Sequence, residues 1–268
     1  MPVVGQGTWN MEREPELAMD ALRYGVDLGL THIDTAEIYG DGAVETLVGR
    51  ALHNVRERVL LVSKVDPARA SRDELIKACE QSLRRLRTEY LDVYLLHWLS
   101  AFPVAETVAG FDALCAAGKI RNWGVSNLDE VKLAEFLKVA GPERICCNQV
   151  MHHLGQRSIE HSLVPFCHGH QVALVGYSPF GAGAFPPESP GGNEVLSEAA
   201  HALGASTRQV ALAFLILKSG GFTIPKASRR RHVEDNAAAA SLELPAEAVA
   251  RLDQAFPIGP SHPGVPIW

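Results

Sequence analysis

Four side chains in this sequence have types and spacing that suit one reaction: Asp34, Tyr39, Lys64 and His97. A phenol such as Tyr39 ordinarily loses its proton near ~10, too high for an effective acid at neutral pH. A lysine cation beside it favours the phenolate and lowers that value. Lys64 is expected to do this, with Asp34 keeping Lys64 charged and aimed. His97 is expected to bind a substrate oxygen and turn it toward the phenol, with Trp98 as a pocket wall beside it. That set suits protonation of a carbonyl oxygen while hydride arrives at carbon. Taken singly, each residue has an ordinary reading: a helix cap, a solvated rim charge, a structural histidine, an exposed rim aromatic. Their combination is the signal.

The elements that must position them are short apolar runs alternating with helical patterns. The runs are Val3–Trp9, Thr31–Asp34, Val59–Lys64, Leu91–His97, Ile120–Ser126, Ile145–Val150, Val172–Ser178 and Phe222–Lys226. They are rich in Val, Ile and Leu without strict polar alternation, as strands buried on both faces are. Helical periodicity joins Leu17, Ala18, Ala21, Leu22 and Leu28; Leu75, Ile76, Cys79, Leu83 and Leu86; and Val210, Leu212, Ala213 and Leu217. Ser71 with Glu74 and Ser206 with Gln209 read as capping boxes, and Asn127 with Glu130 as a further cap. Eight β-then-α units in one chain predict a (β/α)8 TIM barrel, an α/β single domain over 1–268. A doubly wound sheet is the alternative, but no GxGxxG turn follows the first run. In a barrel all eight strand ends meet at one mouth. Trp9, Asp34, Lys64, His97, Ser126, Gln149, Tyr177 and Lys226 would then share it. The Pro/Gly-rich stretch from Phe180 to Gly192 is too long for an ordinary turn and is expected to be a functional loop.

Composition narrows the class. The chain has 268 residues, 47% of them hydrophobic, and a net charge of -6 spread along its length. Neither nucleic acid nor a membrane surface is expected as a partner. No segment reaches the ~20 apolar residues of a membrane span, and the N-terminus does not read as a signal peptide. Five cysteines, an odd number with no CxxC pair, fit reduced thiols in a cytoplasmic protein. No metal site is expected; His152, His153, His168 and His170 match no standard ligand spacing. Arg229-Arg230-Arg231 reads as a solvated helix end, with a phosphate site as the alternative.

The ordered motifs HIDTAEIYGDGAVETLVGRAL, LLVSKV, LDVYLLHW, IRNWGVSN, NQV, VGYSPFGAG and TIPKAS…HVEDN resemble the aldo-keto reductase family over almost the whole chain. Within it the likeness is to bacterial diketogluconate or methylglyoxal reductases. The resemblance implies an NADPH-dependent barrel that reduces aldehydes or ketones, with Asp34, Tyr39, Lys64 and His97 as catalytic tetrad. It places Ser126, Asn127 and Gln149 on the nicotinamide carboxamide and Tyr177 under the nicotinamide ring. Ser178, Phe180 and Gly181 fall on the loop over the pyrophosphate. Lys226, Ser228, His232, Asp235 and Asn236 fall on the stretch for the 2'-phosphate and adenine. Thr8, Trp9 and Trp98 lie near nicotinamide and substrate.

This sequence also departs from the family. His232 stands where NADPH-selective members carry Arg, and Ala227 replaces a Ser; Arg229, Arg230 and Arg231 are nearby substitutes. NADPH is therefore the expected cofactor, with NADH left open. The loop after His97 and the tail after Phe256 are short, which predicts an open mouth, and Trp268 is expected to be a loose end. Relatives begin with a hairpin under the barrel. This chain starts almost at the first strand, so either the start lies further upstream or the barrel floor is less covered. A monomer is the default expectation. Two other functions remain on the table: an NADPH-binding regulatory or sensor subunit with little turnover, and an isomerase or aldolase using Lys64 as a Schiff base.

Overall fold

Each of the eight apolar runs contains a strand. In chain order the strands are β1 (Gln6–Gly7), β2 (His32–Asp34), β3 (Leu60–Val65), β4 (Leu91–Leu96), β5 (Ile120–Ser126), β6 (Ile145–Met151), β7 (Ala173–Tyr177) and β8 (Phe222–Thr223). The helices are α1 (Pro15–Asp27), α2 (Ala43–Leu52), α3 (Arg72–Leu86), α4 (Val104–Ala116), α5 (Glu130–Ala140), α6 (Leu163–Gly169), α7 (Gly192–Ala202), α8 (Thr207–Ser219), α9 (Arg230–Ala239) and α10 (Ala246–Ala255). This computed structural model describes residues 2–260 and 264–267; Trp268 lies outside them. Every neighbouring strand pair is parallel, in the order β1 to β8. Parallel bridges Val4↔Thr223 and Gly7↔Lys226 join the ends, so the sheet closes on itself. Closure leaves no open sheet edge.

The two-residue period of the strands decides which side chains reach the mouth. Val62, Leu95, Cys147, Val175 and Ile224 pack together inside the barrel. Two residues after each comes Lys64, His97, Gln149, Tyr177 and Lys226. Gly124 and Ser126 follow the same rule on β5; a Cβ on Gly124 would come within 2.6 Å of the Cys147 carbonyl, so only glycine fits there. Residues of the opposite parity on the same strands, Leu61, Leu96, Val125, Val150 and Leu174, face the helices. One frame of alternation therefore builds the core and lines up the polar rim.

Several local expectations are corrected. On α1 the buried face is Ala18, Met19, Ala21, Leu22, Gly25 and Val26, whereas Leu17 and Leu28 are exposed. On α8 Leu217 is likewise exposed and Phe214 takes the core position. Ser206 and Gln209 form the full reciprocal capping box. Ser71 precedes α3 without a side-chain cap bond, and Glu74 pairs outward with Lys77 at 2.8 Å, so neither half of the expected capping box forms. The cap of α5 is Asp129, whose carboxylate accepts from the Lys132 amide at 2.8 Å. Asn127 is instead held in the left-handed region, φ 60°, for a role at the mouth.

At the N-terminal ends of β3 to β5, Arg56 and Arg121 both bond Asp92, at 2.9 and 3.0 Å, and both guanidinium groups lie against Tyr90. Around α6 to α10 a second buried network forms. Arg157, with no exposed side-chain surface, donates to Glu160, to Asp253 and to the Phe256 carbonyl. His152 bonds Glu160 at 2.9 Å. His168 and His170 bond the carbonyls of Ser219 and Phe166. Among the described residues no group of three or more His, Cys, Asp or Glu stands together to hold a metal. No single described helix is long and apolar enough to cross a membrane; α7 and α8 reach that composition only as a pair bent by 98°.

Candidate active site

The end of β2 delivers Asp34 to the mouth, where its two carboxylate oxygens are committed to different partners. Oδ1 accepts from Lys64 Nζ at 2.6 Å, and Oδ2 accepts from Gln149 Nε2 at 2.7 Å. Thr8 Oγ1 donates to the Asp34 backbone carbonyl at 2.9 Å. Lys64 is fully buried. It also donates to the Thr35 carbonyl at 2.8 Å and to the Tyr39 hydroxyl at 3.4 Å. Burial works against the ammonium, but Asp34 and Tyr39 outweigh it, and the Lys64 pKa lies above the ordinary lysine range. A permanently charged Lys64 opposes the Schiff-base reading, which requires a free amine.

Tyr39 sits on the short turn after β2, half-buried, with its hydroxyl pointed at Lys64. The ordinary phenol value is not lowered overall, contrary to the sequence expectation. Burial pushes it up, Asp34 adds to the rise, and Lys64 pulls it down by less. The cation acts in the expected direction; desolvation is the larger effect. His97 stands edge-on to Tyr39, ring centroids 5.7 Å apart, and stacks on Trp98 at 3.9 Å. Burial, then the Lys64 charge, hold the imidazole well below its ordinary pKa. It is neutral at neutral pH and offers one N–H donor.

Behind these residues runs a strut. Asn127 Nδ2 donates to the His97 carbonyl and to Ser126 Oγ, both at 3.0 Å. Ser126 Oγ donates to the Gln149 carbonyl at 2.8 Å, and Tyr177 donates to Asn127 Oδ1 at 2.9 Å. The left-handed backbone of Asn127 turns its amide into this position, which ties the ends of β4, β5, β6 and β7 together. Tyr177 and Ser178 line the mouth, Ser178 with φ 51°.

One cavity of about 670 Å³ joins all of this. It is lined by Asp34, Tyr39, His97, Trp98, Ser126, Asn127, Gln149 and Tyr177, and by Thr8 and Trp9 from the first loop. The same cavity reaches Ser178, Phe180, Lys226 and Ser228. Gly181 is buried just behind that wall. His232, Asp235 and Asn236 stand outside the lining: His232 is exposed next to Arg231, Asp235 accepts from Ser206 Oγ at 2.7 Å, and Asn236 is buried. Of the basic run, Arg230 is held by both carboxylate oxygens of Asp20, at 2.7 and 2.8 Å, which fits a solvated helix end. Sequence reasoning missed Asn10, Arg13, Glu14 and Arg208, which also line the cavity. Arg208 had a readable signal: a cation in the first turn of α8, the end where the helix dipole disfavours it.

A cavity lined by an acid and a phenol, both bonded to a buried lysine at the mouth of a parallel barrel, fits an oxidoreductase that binds a dinucleotide without a Gly-rich turn. The aldo/keto reductase family profile matches residues 3–256, and the chain belongs to that family. It is 48% identical over 262 residues to the methylglyoxal reductase YeaE of Escherichia coli, covering 96% of this chain and 92% of that protein. It is 32% identical over 256 residues to a glyoxal reductase of Bacillus subtilis, covering 94% and 88%. A crystal structure of an aldo/keto reductase from Klebsiella pneumoniae in complex with NADP and acetate superposes with TM-score 0.95 at 41% identity, covering 100% of this chain and 96% of that one.

Proposed function

We propose that this protein reduces small aldehydes and ketones with NADPH, with Tyr39 as the proton donor. The observation that carries this is the Tyr39 hydroxyl 3.4 Å from a buried, charged Lys64, itself 2.6 Å from Asp34, with Tyr39, Asp34 and a neutral His97 lining one cavity and Lys64 buried behind them. The cavity also fits the cofactor in charge: Arg13, Arg208 and Lys226 line it with the carboxylates Glu14 and Asp34, and among the described residues none of the three cations is in an ion pair. Ser126, Asn127, Gln149 and Tyr177 would hold the nicotinamide end, with Thr8 and Trp9 beside it. Ser178, Phe180 and Gly181 would flank the pyrophosphate. Lys226 and Ser228 would hold the adenosine end; His232, Asp235 and Asn236, expected there from the resemblance, lie outside the cavity lining. Bound NADPH supplies the hydride.

The residues of this chain do the rest. His97 donates its N–H to the carbonyl oxygen and aims it at Tyr39. Trp98, stacked on His97, and Trp9 wall the substrate. As negative charge grows on that oxygen, Tyr39 transfers its proton, and the phenolate left behind faces the Lys64 ammonium. Burial raises the phenol's pKa at rest, so the proton stays on Tyr39 until that charge develops. Lys64 then lowers the energy of the phenolate. A proton from solvent restores the phenol.

For the substrate we propose 2-oxoaldehydes such as methylglyoxal, supported by the names of the two curated relatives. A cytoplasmic monomer is also proposed: all five cysteines are free thiols, and the closed sheet has no edge to offer a partner. The test is cofactor consumption with methylglyoxal, nitrobenzaldehyde and a diketo sugar acid, NADPH and NADH in parallel. Substrate-dependent oxidation of NADPH, fastest with methylglyoxal, is expected. Tight NADPH binding with no consumption by any carbonyl would favour the sensor reading.

A further inference from the structure

The geometry points to Arg208 as the residue that selects NADPH over NADH, by supplying the fixed positive charge for the 2'-phosphate from α8 rather than from the stretch around His232. This rests on the proposal that the cavity binds NADPH. Three observations lead to it. Arg208 lines the cavity, as do Lys226 and Ser228. Its guanidinium lies 4.7 and 4.8 Å from the ring centres of Phe180 and Phe185, which meet edge to face at 5.1 Å. Two aromatic faces hold the cation in place without neutralising it. Finally, among the described residues it has no hydrogen-bond or carboxylate partner, whereas Arg230 is taken by Asp20 and Arg157 by Glu160 and Asp253.

The histidine nearby does not serve in its place. His232 is exposed, and its Nε2 accepts from Arg231 Nε at 3.2 Å. Burial, then the charges of Arg231, Arg208 and Arg229, hold its pKa below the ordinary histidine value. That places Arg208 in the same electropositive cluster, near enough to His232 to affect its titration. A phosphate dianion entering this cluster meets arginine forks, which bind phosphate oxygens in pairs, rather than an imidazolium. Arg208 also sits where helix energetics do not ask for it. A cation in the first turn of α8 opposes the helix dipole, and the Ser206–Gln209 capping box already completes that helix start without it. The adjoining Ser206 side chain donates to Asp235, so α8 and α9 are fixed relative to one another at this corner.

The experiment is direct binding, followed by quenching of tryptophan fluorescence and by calorimetry. NADPH, NADH, adenosine 2',5'-bisphosphate and ADP are titrated into wild type, Arg208→Met and Arg208→Lys. Methionine is close in length to the arginine stem, and the side chain is exposed, so the fold is expected to survive. In Arg208→Met the Kd for NADPH and for the bisphosphate should rise about ten- to hundredfold, as for loss of one charge-assisted contact. The Kd for NADH and for ADP should change less than about threefold, and Arg208→Lys should fall between. Equal weakening of NADPH and NADH would place Arg208 on the pyrophosphate or adenine and overturn the assignment. Unchanged NADPH affinity would overturn it as well, leaving the cofactor reading intact. Failure of wild type itself to bind NADPH would overturn both.

Discussion

Lys64→Met tests the buried charge pair on which the proposed chemistry depends. Methionine fills the space of the lysine stem but removes three contacts: Asp34 at 2.6 Å, the Thr35 carbonyl at 2.8 Å and Tyr39 at 3.4 Å. Asp34 keeps one donor, Gln149 at 2.7 Å, yet its side chain is only 2% exposed. Removing one partner of such a pair leaves an uncompensated buried charge, which costs about 3–5 kcal/mol of folding stability. For a chain of this size that is a fall in Tm on the order of 10 °C. Adding Asp34→Asn removes the stranded charge, so the double variant should regain most of the loss. Carbonyl reduction should meanwhile drop about 10²–10⁴-fold in both variants. The assay is denaturant unfolding, with turnover measured beside it. A loss below about 1 kcal/mol, or a double variant no more stable than Lys64→Met, would refute the reasoning, because Asp34 and Lys64 would then not depend on each other.

Two further outcomes follow from the same site and its surroundings. His97→Gln keeps an N–H donor but not the ring stacked on Trp98; kcat/KM should fall at least about tenfold, and the wild-type profile should show no break near the ordinary histidine pKa, since burial and Lys64 keep this ring neutral. A wild-type rate in the variant would remove His97 from the account. In the second network, burial pushes the Glu160 carboxyl up, but Arg157 and His152 hold it down to about 2 from an ordinary 4.5. A lowered carboxyl contributes stability that is present above about pH 4.5 and lost as pH falls toward about 2, so Glu160→Gln should flatten acid unfolding across that window. An unchanged slope would mean that other carboxylates set the acid limit.

The barrel was legible because buried parallel strands leave continuous apolar runs, and because Lys64, His97, Gln149, Tyr177 and Lys226 each follow an inward core residue by two. The cluster of Asp34, Tyr39, Lys64 and His97 could be read for the same reason: strand ends in a barrel converge whatever their separation in sequence. Helix faces were less legible where leucine is spent on the surface. Leu17, Leu28 and Leu217 suggested a core stripe that alanine, glycine and phenylalanine in fact supply. Asn127 looked like a cap because its type fits one. Only the fold shows its amide bridging His97, Ser126 and Tyr177. The net effect of burial on Tyr39 depends on how deeply the turn after β2 sits, which spacing does not encode. Arg208 was missed because its partners, Phe180 and Phe185, lie more than twenty residues away, on a loop whose path sequence does not reveal.

The central claim is that Tyr39 delivers the proton. Tyr39→Phe removes one oxygen atom and leaves the ring against His97, so NADPH binding by fluorescence and reduction of methylglyoxal can be measured on the same variant. The account predicts an NADPH Kd within about threefold of wild type and a kcat lowered by about 10² or more. Turnover close to wild type, or a loss of turnover explained wholly by lost NADPH binding, would contradict it.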